Sequence, residues 1–188
     1  MGGANVLATM SAVLRHQLES GLARAGVASS LGGSAPVTAL PPDRVATGGD
    51  ERAQLNLFLY QVTPNLAWRR REGAGGVALD LHYLLTAYGA GDLHAELLLG
   101  HALEILRPLR SLAPADLQAL LAEALRGEAL RELVPVLAPP DGRRAGAGAA
   151  QVEIGLQFLP LEELSRLWSA FQARYRPSVA FKVSLVDA

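Results

Sequence analysis

An aspartate and a histidine stand two positions apart in the apolar stretch LDLHYLLTAY, residues 79–88. Asp80 and His82 would project from the same face of a β-strand, because successive side chains of a strand alternate between its two faces. A carboxylate and an imidazole at that spacing can act as two ligands of a metal ion or as a proton-transferring pair. They can equally form the polar face of a structural sheet.

A metal-dependent enzyme built on Asp80 and His82 needs a third ligand and often a fourth. His94 and His101 lie seven positions apart on the next predicted helix, and His16 is far away in the sequence. No spacing of the H-E-x-x-H kind occurs. The sequence therefore favours a polar strand face that meets solvent, a loop or another chain.

The other motifs carry no catalytic pattern. The chain has no cysteine, which excludes disulfides, zinc–thiolate sites and cysteine nucleophiles. The glycine-rich stretches 73–76 and 146–149 match neither the dinucleotide fingerprint nor the phosphate-binding loop. Nothing resembles a nucleophile elbow. We therefore expect no enzymatic activity, no catalytic residue and no cofactor or metal.

The most unusual polar cluster is WRRRE, which combines Trp68 with the three arginines at 69–71. Such a cluster can stack on bases and pair with phosphates, which leaves a nucleic-acid-binding module as an alternative. A net charge of −1 disfavours nucleic acid, and Trp and Arg are frequent anchors of protein interfaces. Arg174 and Arg176 flank Tyr175, and they could pair with acids at the sheet edge or across a subunit boundary.

Hydrophobic periodicity predicts the elements that position these residues. Helices are predicted over 5–25, 93–107, 114–125, 128–133 and after Pro160, and strands over 36–40, 53–62, 77–88, 151–158 and the C-terminal stretch with Val179, Phe181, Val183 and Leu185. The strands over 53–62 and 77–88 are expected to pair as an antiparallel hairpin.

Several apolar residues are expected to face the core. Asp92 should cap the helix that follows it, and the buried side of that helix should carry Leu93, Leu97, Leu98, Ile105 and Leu106. Leu156 and Phe158 should point inward together with Val152 and Ile154, because the strand over 151–158 alternates cleanly. Apolar residues at helical spacing, among them Trp168, should form the core-facing stripe of the last helix.

This order of elements predicts the α+β class, with a small mixed or antiparallel sheet and helices packed on it. With 188 residues, of which 50% are hydrophobic, the chain fits a single domain, residues 1–188, with flexible loops at about 27–52, 63–76 and 138–150. The N-terminal stretch lacks the features of a signal peptide, and no apolar run is long enough for a membrane span. We therefore expect a cytoplasmic protein.

Four stretches resemble one known family. They are LNLFLYQVTPN at 55–65, LDLHYLLTAYG at 79–89, HAELLLGHALEIL at 94–106 and LSRLWSAFQARYRPSVAFKVSLVD at 164–187. The chain is similar to the tail-terminator, or cap, proteins of phage-tail-like contractile injection systems. The resemblance covers essentially the whole chain, and it is strong over 53–106 and 158–187.

The resemblance implies a structural role without catalysis. Proteins of this family form a ring, typically of six copies, on the end of the inner tube, where they stop its growth and engage the last sheath layer. The expected partners are therefore copies of the chain itself, the inner tube protein and the sheath protein. Combined with the polar clusters above, this implies a set of candidate interface residues: Trp68, Arg69, Arg70, Arg71, Asp80, His82, Arg174 and Arg176.

Replacing Arg69, Arg70 and Arg71 together by Ala is expected to leave folding intact and to weaken assembly, because a solvent-exposed loop contributes contacts to partners and little to the core. Circular dichroism and thermal unfolding check the fold, and co-purification with partner subunits checks assembly. A variant that unfolds, or one that assembles as well as the parent chain, contradicts an interface in this loop.

Overall fold

The computed structural model describes residues 4–65, 78–126 and 149–187. Within these ranges the helices are α1 (Ala4–Arg24), α2 (His94–Leu106), α3 (Pro114–Ala124) and α4 (Leu161–Ala170), and the strands are β1 (Val37–Thr38), β2 (Gln54–Pro64), β3 (Leu79–Tyr88), β4 (Ser111–Leu112), β5 (Ala149–Gln157) and β6 (Ser178–Asp187). The predicted α+β class is confirmed.

The strands form one six-stranded sheet in the order β1-β2-β3-β6-β5-β4. The short edge strand β1 runs parallel to β2, and all other neighbouring strands are antiparallel. The predicted pairing of β2 with β3 is confirmed, with Leu57 opposite Leu85. The register shifts between Leu59 and Gln61, which makes a β-bulge at Tyr60. The strand β2 ends at Pro64, two residues later than predicted.

Helices α1, α2 and α3 cover one face of the sheet. The core between them combines residues from every layer: Leu14 and Leu18 of α1, Leu98 and Ala102 of α2, Leu121 of α3, and Leu57, Leu81, Tyr83, Leu85, Ile154, Phe181 and Val183 of the sheet. All of these side chains are buried. Removing this apolar area from water is the main favourable contribution to folding.

Tyr83 joins the sheet to α1. Its ring stacks on Phe181, with the centroids 5.4 Å apart, and its hydroxyl lies 2.8 Å from the hydroxyl of Ser11 on α1. Burial raises the pKa of Tyr83 to about 12, and the hydrogen bond with Ser11 offsets part of that rise. Helix α1 also packs closely on α2 at Gly21. A Cβ at this position would lie only 2.6 Å from Cδ1 of Ile105, so the contact has no room for a side chain.

Helix α4 covers only part of the opposite sheet face. Trp168 packs there against Leu84 of β3 and Ala180 of β6. Phe171 meets Phe58 of β2 edge to face, with ring centroids 5.3 Å apart. The predicted core position of Trp168 is confirmed, since only 2% of this residue is exposed.

The start of α2 differs from the prediction. The residue before the helix is Leu93, with φ at 61° and no side-chain cap, so Asp92 does not cap the helix. Leu93 is 68% exposed and Leu97 is 38% exposed, so their predicted burial is wrong. The buried stripe of α2 contains Leu98 and Leu106, as predicted, together with Ala102. Leu93 lies in the turn before the helix and therefore does not join that stripe.

The second half of β5 also differs from the prediction. Val152 and Ile154 are buried as expected, but Leu156 is 63% exposed and Phe158, the residue after the strand, is 88% exposed. The alternation along the strand is correct. Leu156 and Phe158 remain exposed because no described helix covers them. Which residues of a strand are covered depends on elements that are distant in the sequence.

Several predicted segments lie wholly or mostly outside the described residues: the cluster at 68–72, the short helix at 128–133, the glycine-rich stretches at 73–76 and 146–149, and the loops at 63–76 and 138–150. Among the described residues, no helix has both the length and the apolar character that a membrane crossing requires.

Replacing Trp168 by Ala is expected to lower the free energy of unfolding by about 3–5 kcal/mol, because it leaves a cavity between α4 and the sheet. Chemical denaturation monitored by circular dichroism measures the change. Leu161→Ala in the same helix is the matched control, since Leu161 is 71% exposed. Equal effects of the two substitutions contradict the packing described above.

Candidate functional site

Beyond α4, the same sheet face carries polar side chains from four adjacent strands. They are Thr63 of β2, Asp80 and His82 of β3, Lys182 and Ser184 of β6, and Gln157 of β5, which we call the polar patch. The strands bring these residues together because alternate residues of neighbouring strands share one face. Asp80 lies opposite Ser184, and His82 lies opposite Lys182.

Asp80 has hydrogen-bond donors on both carboxylate oxygens. Its Oδ1 accepts hydrogen bonds from the Ser184 hydroxyl at 2.7 Å and from the Asn65 amide nitrogen at 3.1 Å. Its Oδ2 accepts from the ammonium group of Lys182 at 3.0 Å. The Asp80 side chain is mostly buried, whereas the Lys182 side chain is 41% exposed. Asp80 is therefore a charged acceptor that joins β3 to β6.

His82 is buried and engages both of its ring nitrogens. Its Nδ1 donates to Oε1 of Gln157 at 2.9 Å, so in the neutral ring its Nε2 accepts from the hydroxyl of Thr63 at 2.9 Å. The ring of Tyr60 lies beside it, with centroids 6.1 Å apart. Burial, and to a smaller extent the carboxylate of Glu163, raise the pKa of Tyr60. The histidine thus links β2, β3 and β5 across the sheet.

Among the residues that the structure describes, Asp80 and His82 have no third metal ligand beside them. Within residues 4–65, 78–126 and 149–187, no three histidine or acidic side chains lie close enough together to hold a metal ion. His94 and His101 belong to α2, which packs on the other face of the sheet. Asp80 and His82 direct their polar atoms to neighbouring strands, and this arrangement is that of a structural hydrogen-bond network.

Arg176 forms an ion pair within the chain. One of its terminal nitrogens lies 2.6 Å from Oε2 of Glu51, whose Oε1 accepts from the backbone N–H of Gly89 at 3.3 Å. The guanidinium carbon lies 5.8 Å from the centre of the Tyr88 ring, within cation–π range. Burial raises the pKa of Tyr88 to about 12, although the charge of Arg176 lowers it. The ion pair between Arg176 and Glu51 thus connects the segment that precedes β6 with the segment that precedes β2.

The remaining candidate residues are Arg174, Trp68 and the three arginines at 69–71. Arg174 is exposed. Trp68 and the arginines at 69–71 lie outside the described residues. An interface role for all eight candidates stays a prediction.

Sequence reasoning missed most partners of Asp80 and His82. A signal was present, because Lys182 and Ser184 alternate with the inward residues Phe181 and Val183 and therefore share the opposite face of the strand. Only the strand order shows that this face adjoins the one carrying Asp80. The order β3-β6-β5 brings together residues about a hundred positions apart, and sequence periodicity contains no information on such distant neighbours.

Comparison with known proteins names the family of this chain. Residues 9–188 match the Pvc16 N-terminal domain family, so the chain belongs to that family. This confirms the resemblance seen in the sequence. A search of curated proteins gives no significant match.

Two solved structures share the fold. One is the sheath/tube terminator of PVC, an extracellular contractile injection system, in its extended state, with 19% identity and a TM-score of 0.52. The other is the tube-terminating cap of the anti-feeding prophage, with 18% identity and a TM-score of 0.50. They align with 100% and 82% of this chain. The chain spans about half of their length, 57% and 48% respectively.

Replacing Asp80 by Ala is expected to lower the free energy of unfolding by about 1–3 kcal/mol, because Ser184 and Lys182 lose a charged acceptor. A double-mutant cycle with Lys182→Ala should show a coupling of about 0.5–1 kcal/mol, because the lysine is partly exposed. Chemical denaturation measures both quantities.

Asp43→Ala is the control for Asp80→Ala, since Asp43 is an exposed aspartate outside the patch, and it should change stability by less than about 0.5 kcal/mol. A stability unchanged by Asp80→Ala contradicts the structural role of the patch.

Proposed function

We propose that this chain is a structural cap of a contractile injection system, which ends the inner tube and engages the last sheath layer as a ring, with six copies as the expected number. The observation that carries the proposal is the family match over residues 9–188. The two solved structures described above are both tube terminators. Because the chain spans about half of their length, the partners of the whole assembly belong to the proposal.

The proposed partners are copies of the chain itself, the inner tube protein and the sheath protein. A net charge of −1 suits protein surfaces better than nucleic acid. We propose that the chain folds as one cap domain and joins the particle in the cytoplasm.

The polar patch supports a role without catalysis. An active site keeps its reacting groups available to a substrate, and the polar atoms of Asp80 and His82 are instead bound to groups of the same sheet. We propose that the patch gives the sheet a rigid face near a neighbouring subunit of the ring. The Lys182 side chain is 41% exposed, so its ammonium group is accessible to a partner on this face.

The test is deletion of the coding sequence from the gene cluster, followed by electron microscopy of the particles. The expected result is tubes of irregular length without a defined upper end, because nothing stops tube growth. Reintroduction of the wild-type sequence is expected to restore uniform length. Unchanged lengths and tube ends in the deletion strain contradict the cap.

The ring and the enzyme alternative are tested on purified protein. Sedimentation velocity is expected to show a closed oligomer, alone or after addition of tube subunits. A strict monomer under both conditions contradicts the ring. Stoichiometric bound metal that is lost in His82→Ala supports the metal-dependent alternative instead.

A further inference from the structure

The outer edge of β5 is only partly paired. The short strand β4 pairs with β5 at Glu153 and Val152. Beyond these positions, residues 154–157 pair with β6 on one side. On the other side lies no described strand, and the short 3-10 helix Arg107–Arg110, which precedes β4, packs against β5 without strand pairing. An unpaired strand edge presents a row of backbone N–H and C=O groups that accept another extended chain.

This edge lacks the features that usually protect edge strands. Lysines, prolines and bulges normally prevent unwanted pairing. The open part of β2, on the opposite side of the sheet, has the bulge at Tyr60 and ends with Pro64. In β5 the register shift lies at Ala149/Gln151, and residues 154–157 pair regularly and include no charge and no proline. The edge of β5 is therefore suited to docking.

An apolar groove runs beside this edge. It has a volume of about 190 Å³, and its apolar lining consists of Leu103, Leu106, Ile154, Leu156 and Phe181. A cavity of about 150 Å³ accepts a benzene ring. The groove therefore has room for one aromatic or branched aliphatic side chain. Leu156 lines it while 63% exposed, so an occupant would remove this side chain from water.

The charged residues at the rim of the groove are Glu104, Arg107 and Arg110. Arg107 lies 3.0 Å from Glu104, so these two charges offset each other. Arg110 is exposed and gives the rim a net positive charge. A carboxylate on the occupant would complement this charge.

We propose that the open edge of β5 is a docking site for an extended acidic and apolar segment of another protein. The segment adds a strand next to residues 154–157, inserts an apolar side chain into the groove and places a carboxylate beside Arg110. Strand addition derives affinity from main-chain hydrogen bonds and specificity from pockets for alternate side chains. The site does not depend on the capping role, because it rests on the edge, the groove and the rim charge.

The probe is a synthetic heptapeptide with valine, leucine and aspartate at alternate positions, separated by threonines. Hydrogen exchange followed by NMR should show that the probe slows alternate amides of residues 154–157. The remaining amides of residues 154–157 already donate hydrogen bonds to β6 in the free chain, because successive residues of an antiparallel strand bond alternately to the strands on its two sides. A second peptide, with lysine in place of aspartate, should bind about tenfold more weakly.

Two substitutions test the groove and its rim. Leu156→Ser should weaken binding of the probe about tenfold, because the apolar contact is lost, and should leave thermal unfolding unchanged. Leu93→Ser is the matched control, since Leu93 is 68% exposed and lies away from the groove. Arg110→Ala should remove the preference for aspartate over lysine, whereas Arg44→Ala, an exposed arginine elsewhere, should retain it.

Three outcomes overturn the proposal. Full protection of all four amides of 154–157 in the free monomer shows that the edge is already paired. Protection that develops with self-association of the chain identifies a second copy as the occupant. Equal binding of the aspartate and lysine peptides, or binding unaffected by Leu156→Ser, shows that the groove does not recognise the proposed segment.

Discussion

The central strand β3 is hydrogen-bonded on both edges, to β2 and to β6, and the rest of the structure depends on this double pairing. One face of β3 carries Leu81, Tyr83 and Leu85 into the core beneath α1, α2 and α3. The other face carries Leu84 beneath α4 and then Asp80 and His82 into the polar patch. Since the side-chain period of a strand is two, a slip of one residue would exchange these faces and bury charge in the core. The register of β3 therefore determines the position of both the core and the patch.

The polar patch and the edge of β5 differ in how far their hydrogen-bonding groups are satisfied. In the patch, the polar atoms of Asp80 and His82 form hydrogen bonds with other side chains of the same chain. These bonds stabilise the sheet, and few of these atoms remain available to another molecule. Along residues 154–157 the backbone is paired with β6 alone among the described strands. The edge of β5 is therefore better suited to binding another chain than Asp80 and His82, which are the most conspicuous polar residues in the sequence.

The likeness to tube terminators at 18–19% identity is a likeness of fold. At this level most side chains differ, whereas the arrangement of helices and strands is shared. The features proposed for recognition here, the open edge and its groove, belong to the particular residues of this chain. Function in such folds is set by surface residues on a common framework.

The sequence by itself determined the α+β class, the long elements and the inward faces of the strands, because hydrophobic periodicity is a local property that each segment carries. It also identified the family through its motifs and gave Trp168 its core position. It did not determine the order of strands that joins Asp80 to Lys182, or the fact that Leu156 and Phe158 remain exposed. Only the tertiary structure decided these features, since pairing and coverage depend on which distant segments become neighbours and where the covering helices end.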